Sequence, residues 1–397
     1  MPLLPPKAHI EHIAANPAEG DASYRVLTHE SFLTAREEIT AWDGYAPTPL
    51  VSLSTIAAEI GVGEILYKDE GPRIGLGSFK ALGGSYVALR VLQREISKRF
   101  DRAVSLAEVR NGAYAEDCAK ITLVSATDGN HGRLLAWGRK RFGVPCRIYI
   151  HAEVSEGRAV AMRDLGAEVV RIEGDYDESV LLAKSEAEEN GWFVVSDTSW
   201  PGYSLPPRDV MSGYGVMVQE ICNALDQAPT HVFLQGGVGD SAAGVIAALR
   251  QYWGGASPRP IIVEPELAAC LFESAKTGAA TKVDIAEETL MAGLSCGEPS
   301  GLAWEILSEE ATDYLTIPEE MVAPTVPLLA KPLANEAAVQ AGESAVAGLA
   351  ALIAAMEDPS LAEKLGLSST SRVLLIGSEG VTDAEIFSMI MEGVEAA

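Results

Sequence analysis

Cysteine is scarce in this 397-residue chain, and the five present (Cys118, Cys146, Cys222, Cys270 and Cys296) are scattered without C-x-x-C spacing. Neither a disulfide framework nor a zinc site follows from such a distribution, so small buried side chains are expected. Positive charge is also in short supply: 30 Lys and Arg stand against 56 Asp and Glu, a formal net charge of −26. A field of that sign repels phosphodiester backbones and excludes nucleic acid as a partner. It does not exclude a small anion, which backbone N–H groups at a helix start hold locally. No apolar run is long enough to cross a bilayer, and Pro5 and Pro6 interrupt the segment where a signal peptide needs an unbroken apolar helix. A cytoplasmic protein with no membrane partner is expected. His9, His12 and His29 lack metal-ligand spacing, so no metal site is expected and these residues read as solvated surface positions.

What is present is alternation. "ITLVSAT" from Ile121 is a short β-branched run, and "RLLAWGRKRFG" after it has helical spacing with a closing glycine. "VPCRIYIH", "EVVRIEG" and "WFVVSD" read as strands separated by the helical stretches "EGRAVAMRDLGA" and "ESVLLAKSEAEENG". "THVFLQGG", "RPIIVEPE" and "SRVLLIGSEG" are further apolar runs that end in small or polar residues. Apolar strands alternating with helices predict an α/β protein with mostly parallel sheets flanked by helices, and in such sheets ligands gather at the carboxyl ends of strands. The first forty or so residues are polar and weakly periodic and read as an N-terminal arm (residues 1–45). "TSWPGYSLPPRD" reads as a loop between lobes. A small α/β domain over 81–210 is therefore expected as an insertion between the parts, 1–80 and 211–397, of a larger one.

Four segments that follow apolar runs carry unusual chemistry: "GSFKALGG", "ATDGNHG", "QGGVGDS" and "GSEGVTD". Lys80 sits among small and apolar residues at a helix start, where the helix dipole opposes its charge. A desolvated lysine beside partial positive charges gives up its proton more readily, and its amine then attacks aldehydes. In "QGGVGDS" the glycines let backbone N–H groups approach an oxyanion at a helix N-terminus. The motif is neither G-x-x-x-x-G-K-[ST] nor G-x-G-x-x-G, which favours a phosphate monoester over a nucleoside triphosphate or dinucleotide. A lysine nucleophile and a separate phosphate cradle together point to pyridoxal 5′-phosphate.

The ordered set "SFKALGG", "GNHG", "GGVG" and "SEGVTD" resembles that of the fold type II pyridoxal-phosphate enzymes, the tryptophan synthase β-like family, from about Tyr67 to Asp383. The resemblance implies a two-domain fold and usually a homodimer. It makes Lys80 the Schiff-base lysine with Phe79 beside the cofactor, sets Asn130 on the ring hydroxyl, and gives the phosphate to Gly236, Gly237, Val238 and Gly239. Ser378 is implied to face the pyridine nitrogen, with Glu379 and Asp383 close by in sequence. A hydroxyl there stabilises a protonated ring less than a carboxylate does, and this suits β-elimination.

The set "SFKALGG", "ATDGNHG", "SDTSWPGY" and "AGLSCGEPS" is similar to that of the diaminopropionate ammonia-lyase subfamily, which converts 2,3-diaminopropionate to pyruvate and two ammonia from either enantiomer. This implies a small amino-acid substrate, Asp197 as base for the L isomer and Asp128 for the D isomer. Thr127, Asp128, Gly129 and His131 are then the substrate-carboxylate loop. Glu298 and Glu343 either line the site or cap helices. Two other readings stay open: elimination from another β-substituted amino acid on the same cofactor, and an α/β protein that binds a phosphate ligand without chemistry.

Overall fold

The structure, a computed structural model, describes residues 10–15, 17, 20–127, 130–174, 176–196, 198–332 and 336–393. Eleven strands occur among them: β1 (Glu11–Ala14), β2 (Leu50–Ser52), β3 (Glu64–Asp69), β4 (Leu123–Ala126), β5 (Cys146–Ile150), β6 (Glu168–Arg171), β7 (Phe193–Val194), β8 (His231–Gln235), β9 (Arg259–Pro265), β10 (Asp313–Ile317) and β11 (Arg372–Gly377). The helices that bear on the site are α1 (Lys80–Arg99), α2 (Asn130–Phe142), α3 (Leu205–Ala224), α4 (Asp240–Trp253), α5 (Cys270–Thr277) and α6 (Ala347–Glu357).

The chain divides into two compact units. The first comprises residues 1–30, 44–79 and 215–397. Its sheet has the order β1-β10-β9-β8-β11-β3-β2, parallel through the five inner strands and antiparallel at each edge. The inner strands are buried along their length, as a sheet covered on both faces requires. α6, whose sequence is AGLAALIAAME, is apolar on nearly every side and lies in the core of this unit. The second unit comprises residues 31–43 and 80–214, and its sheet β6-β5-β4-β7 is parallel throughout. Among the described residues no single helix is long and apolar enough to cross a membrane.

The structure departs from the sequence reading in three places. Residues 31–43, read as part of the arm, belong to the second unit, where Glu38 pairs with Arg110 at 2.7 Å and Trp42 packs on Trp137. "SLPPRD" does not stay in a loop: α3 begins at Leu205, because Pro206 and Pro207 fall in a first turn whose N–H groups have no helical acceptor anyway. His12 is not a solvated position. It lies in β1 with Nε2 2.9 Å from the buried Asp313 carboxylate, which Arg259 also holds at 2.7 Å.

Asp313 joins three strands, since β1, β9 and β10 each supply one member of this group. Burial opposes its ionisation, but the hydrogen bonds from His12 and Arg259 prevail and hold its carboxyl below the usual range. A depressed carboxylate contributes stability at pH values above its unfolded pKa and loses it as pH falls through the folded one. Asp313→Ala is therefore expected to lower the unfolding free energy by about 2 kcal/mol at neutral pH, read from urea midpoints, and to flatten the acid limb of the stability profile.

Candidate active site

In the first unit β8 is the turning point of the sheet: β9 and β10 follow on one side of it, β11 and β3 lie on the other. Loops leaving the carboxyl ends of neighbouring strands part at such a point and leave a crevice where ligands bind. The ends of β8 and β11 are fastened by Gln235, whose Nε2 donates to the Ile376 carbonyl at 2.7 Å. Beyond them run Gly236, Gly237, Val238 and Gly239 on one side, and Ser378 with Glu379 on the other.

The glycine loop turns into α4 with Gly237 at φ 62° and Gly239, the N-cap, at φ 96°, both left-handed conformations that a side chain resists. Gly236 is required for space instead. A Cβ on it would lie 2.4 Å from Cγ of Glu264, the buried carboxylic acid on β9 directly behind the loop. The Gly236 N–H donates to Val263 O (2.9 Å) and that of Gly239 to Gly236 O (3.2 Å). Among the described residues no acceptor meets the N–H of Gly237 or Val238. Two unclaimed donors ahead of a 14-residue helix, in a loop too narrow for side chains, fit a phosphate monoester.

An ionised Glu264 would repel such a ligand. Burial, however, pushes its carboxyl up to about 8, against the opposing pull of the Leu271 and Phe272 N–H groups that it accepts at 3.1 and 2.7 Å. At neutral pH it is mostly uncharged.

Ser378 is buried at the end of β11, with its carbonyl accepting from Phe79 N–H at 3.0 Å. Gly377 before it admits the Tyr67 ring, which a Cβ would meet at 2.2 Å. The loop from β3 to α1 is thereby laid along the Ser378 segment: Gly380 N–H also donates to Gly77 O at 2.9 Å, and Ser78 bridges to Glu379. Lys80, the next residue after Phe79, is the first of α1. Of the neighbouring acids, Glu379 is buried next to Gly342 and Gly293 and Glu343 is buried, whereas Glu298 is exposed. Asp383 is a helix cap, accepting from Glu385 and Ile386 N–H groups at 3.0 and 3.1 Å.

The second unit carries the remaining residues. Gly83 and Gly84 of "SFKALGG" serve helix packing: a Cβ on Gly84 would lie 2.8 Å from Leu134 Cβ of α2, and one on Gly83 would lie 2.8 Å from the Val210 carbonyl of α3. The first turns of α1 and α2, which hold Lys80 and Asn130, belong to helices in this close contact. Thr127 ends β4, buried, with its N–H donating to Tyr149 O at 3.1 Å. The His131 ring Nε2 lies 3.1 Å from Val195 O, so this side chain ties the segment after β4 to the one after β7. Tyr203 supports the latter, its hydroxyl donating to Val194 O (3.0 Å) and accepting from Ser196 N–H (2.9 Å). Asp128, Gly129 and Asp197 lie outside the described residues, as does His9. Sequence reasoning did not find Glu264, Gln235 or Tyr203; the "VEP" at the end of β9, an acid directly after the apolar run PIIV, was the available signal for the first.

A family model described as pyridoxal-phosphate dependent enzyme matches residues 41–379. The diaminopropionate ammonia-lyase of Escherichia coli strain K12 is 38% identical over 360 residues, 89% of this chain and 89% of that one. The crystal structure of the holo form of the Escherichia coli enzyme, with selenomethionine incorporated, matches at a TM-score of 0.88, 34% identical over 98% of each chain. The same enzyme in complex with an aminoacrylate-PLP azomethine reaction intermediate matches at 0.86, again 34% identical over 98% of each.

Two outcomes are expected. Gly236→Ala sets a methyl against Glu264, and it should weaken pyridoxal phosphate binding at least about tenfold, measured by equilibrium dialysis. Glu264 in the folded chain keeps a proton that the unfolded chain releases, so stability should fall as pH rises from 4.5 to about 8. Glu264→Gln should remove that slope in urea titrations across the window.

Proposed function

We infer the reaction from this premise: the chain belongs to the pyridoxal-phosphate dependent enzyme family and, within it, to the diaminopropionate ammonia-lyases. It eliminates both amino groups of 2,3-diaminopropionate, consuming one water and giving pyruvate and two ammonia. The observation that carries this reading is the phosphate-sized cradle Gly236–Gly239 beside Ser378, with Phe79 bonded to Ser378 and Lys80 one residue further on.

Pyridoxal phosphate, when bound, supplies an aldehyde that condenses with amines and a ring that draws electrons from Cα. Gly237 and Val238 N–H groups, with the N-terminus of α4, are assigned to its phosphate, and the Asn130 side chain to its ring hydroxyl. Ser378 presents a neutral hydroxyl to the ring nitrogen, which limits electron withdrawal and favours expulsion of a β-substituent over slower carbanion chemistry. Lys80 would hold the cofactor's aldehyde in the resting enzyme, and its amine, once it has taken up a proton, would pass that proton to the departing β-nitrogen. That proton matters because an amine leaves only once protonated. Thr127, Gly129 and His131 form the substrate-carboxylate loop. The His131 ring contributes by bracing that loop against Val195, as its bond to the Val195 carbonyl supports. Asp197 removes the Cα proton of the L isomer and Asp128 that of the D isomer, because the two hydrogens project from opposite faces of Cα. A cytoplasmic homodimer is part of the same proposal.

The test is pyruvate release from each diaminopropionate enantiomer, with D- and L-serine for comparison. Lys80→Ala should abolish turnover on every substrate. Asp128→Asn should slow the D isomer by about 10²–10⁴-fold and spare the L isomer, with Asp197→Asn giving the converse. Faster turnover of another β-substituted alanine would move the substrate assignment to that compound, and equal losses on both isomers would refute the division between the two acids.

A further inference from the structure

Four charges are buried together at the root of the loop that leads to Lys80. Lys68, Glu70 and Arg73 come from the end of β3 and the turn after it and Glu220 from α3, all with side chains 0–6% exposed. One guanidinium is forked twice. Arg73 donates to both Glu70 oxygens at 2.8 and 2.7 Å and to both Glu220 oxygens at 2.7 and 2.8 Å. Lys68 Nζ donates to Glu220 at 2.6 Å and to Thr48 O at 2.7 Å, the Thr48 hydroxyl donates to Glu70, and the Tyr45 hydroxyl donates to Glu220 at 2.9 Å. Burial works against the ionised Glu220, yet the Arg73 and Lys68 contacts keep its carboxyl below the usual range.

Such a group is poorly explained by stability. Taking four charges out of water costs about what their mutual attraction returns, and apolar side chains of the same volume hold a fold equally well. Paired forks do what apolar packing does not, which is to fix the plane and direction of a guanidinium and of the backbone that bears it. The chain beyond Arg73 needs that support. Ile74 has φ 50°, followed by Gly75 at 68° and Gly77 at 85°. A β-branched residue in the left-handed region is strained and persists only where its flanks are pinned. Upstream, Glu70 N–H donates to Gly377 O at 2.8 Å and the Arg73 forks hold the turn; downstream, Gly77 and Phe79 are bonded to Gly380 and Ser378.

We propose that Arg73, gripped by Glu70 and Glu220, is a positioning residue for Lys80: it sets the path of residues 70–79 so that Phe79 stays in register on Ser378 and delivers the lysine backbone from a fixed point. The role rests on the reading above, in which the Lys80 amine condenses with the pyridoxal phosphate aldehyde and water leaves.

The experiment follows capture of the cofactor rather than turnover. Full-length protein stripped of cofactor is mixed with pyridoxal phosphate, reduced with borohydride at timed intervals, and the pyridoxyl adduct on Lys80 is quantified by mass spectrometry. Affinity for pyridoxine 5′-phosphate, which has the phosphate and no aldehyde, and the thermal midpoint are measured alongside. Arg73→Lys keeps the charge and loses the forks. It should slow adduct formation by about 10–100-fold while pyridoxine phosphate binding stays within about twofold of wild type, since the glycine loop is untouched. If that variant does not fold, Thr48→Val, which removes one hydrogen bond each from Glu70 and Arg73, should give a slowdown of about threefold. Wild-type capture rates in variants with lowered thermal midpoints would make the cluster purely structural and overturn the proposal. Wild-type protein that captures the cofactor with no adduct on Lys80 overturns the assignment of that lysine, and the positioning role falls with it.

Discussion

The parallel pairing of β8, β11 and β3 is the constraint from which the first unit's chemistry follows. Because the three strands run the same way in register, their carboxyl ends emerge together and the glycine loop, Ser378 and the loop to Lys80 start from one edge of one sheet. Gln235 fastens two of those ends with a single amide, and the Phe79 N–H fastens the third to the second. None of these bonds involves a reactive group. They decide where reactive groups are able to stand, and a strand shifted by one residue would turn each inward side chain to the opposite face.

Local arrangement also resolves the contradiction between the overall charge and an anionic cofactor. A net charge of −26 does not forbid a phosphate where two backbone donors and a helix terminus act within a few ångströms, because distant surface carboxylates are screened by salt. Glu264, behind the loop, is kept mostly protonated by its burial. The cradle therefore needs no lysine or arginine of its own, which is consistent with the small share of basic residues in the chain.

Much of this was legible in the sequence, for a physical reason. Strand and helix alternation is a local signal, and so are "GGVG" and "SFK", whose residue types follow from what a tight loop or a nucleophile requires. The glycines of "ALGG" were equally visible, but their use was not, because the atoms that they make room for belong to Leu134 and Val210. The same holds for Arg73, whose partner Glu220 lies 147 residues away, and for His12, which meets Asp313 after 301 residues. Asp383 and Glu298 show the converse limit. Each stands beside a motif, yet one caps a helix and the other faces solvent, since adjacency along a chain does not fix direction in space.

The two outer strands of the large sheet have a consequence of their own. β1 and β2 are four and three residues long and antiparallel to their neighbours, so each covers a parallel strand whose open side would otherwise recruit other chains. On one flank that cover depends partly on a single imidazole–carboxylate contact. Once acid neutralises the carboxylate, that contact is lost and the cover of β10 rests on the backbone ladder of a four-residue strand, far from any group assigned to the substrate.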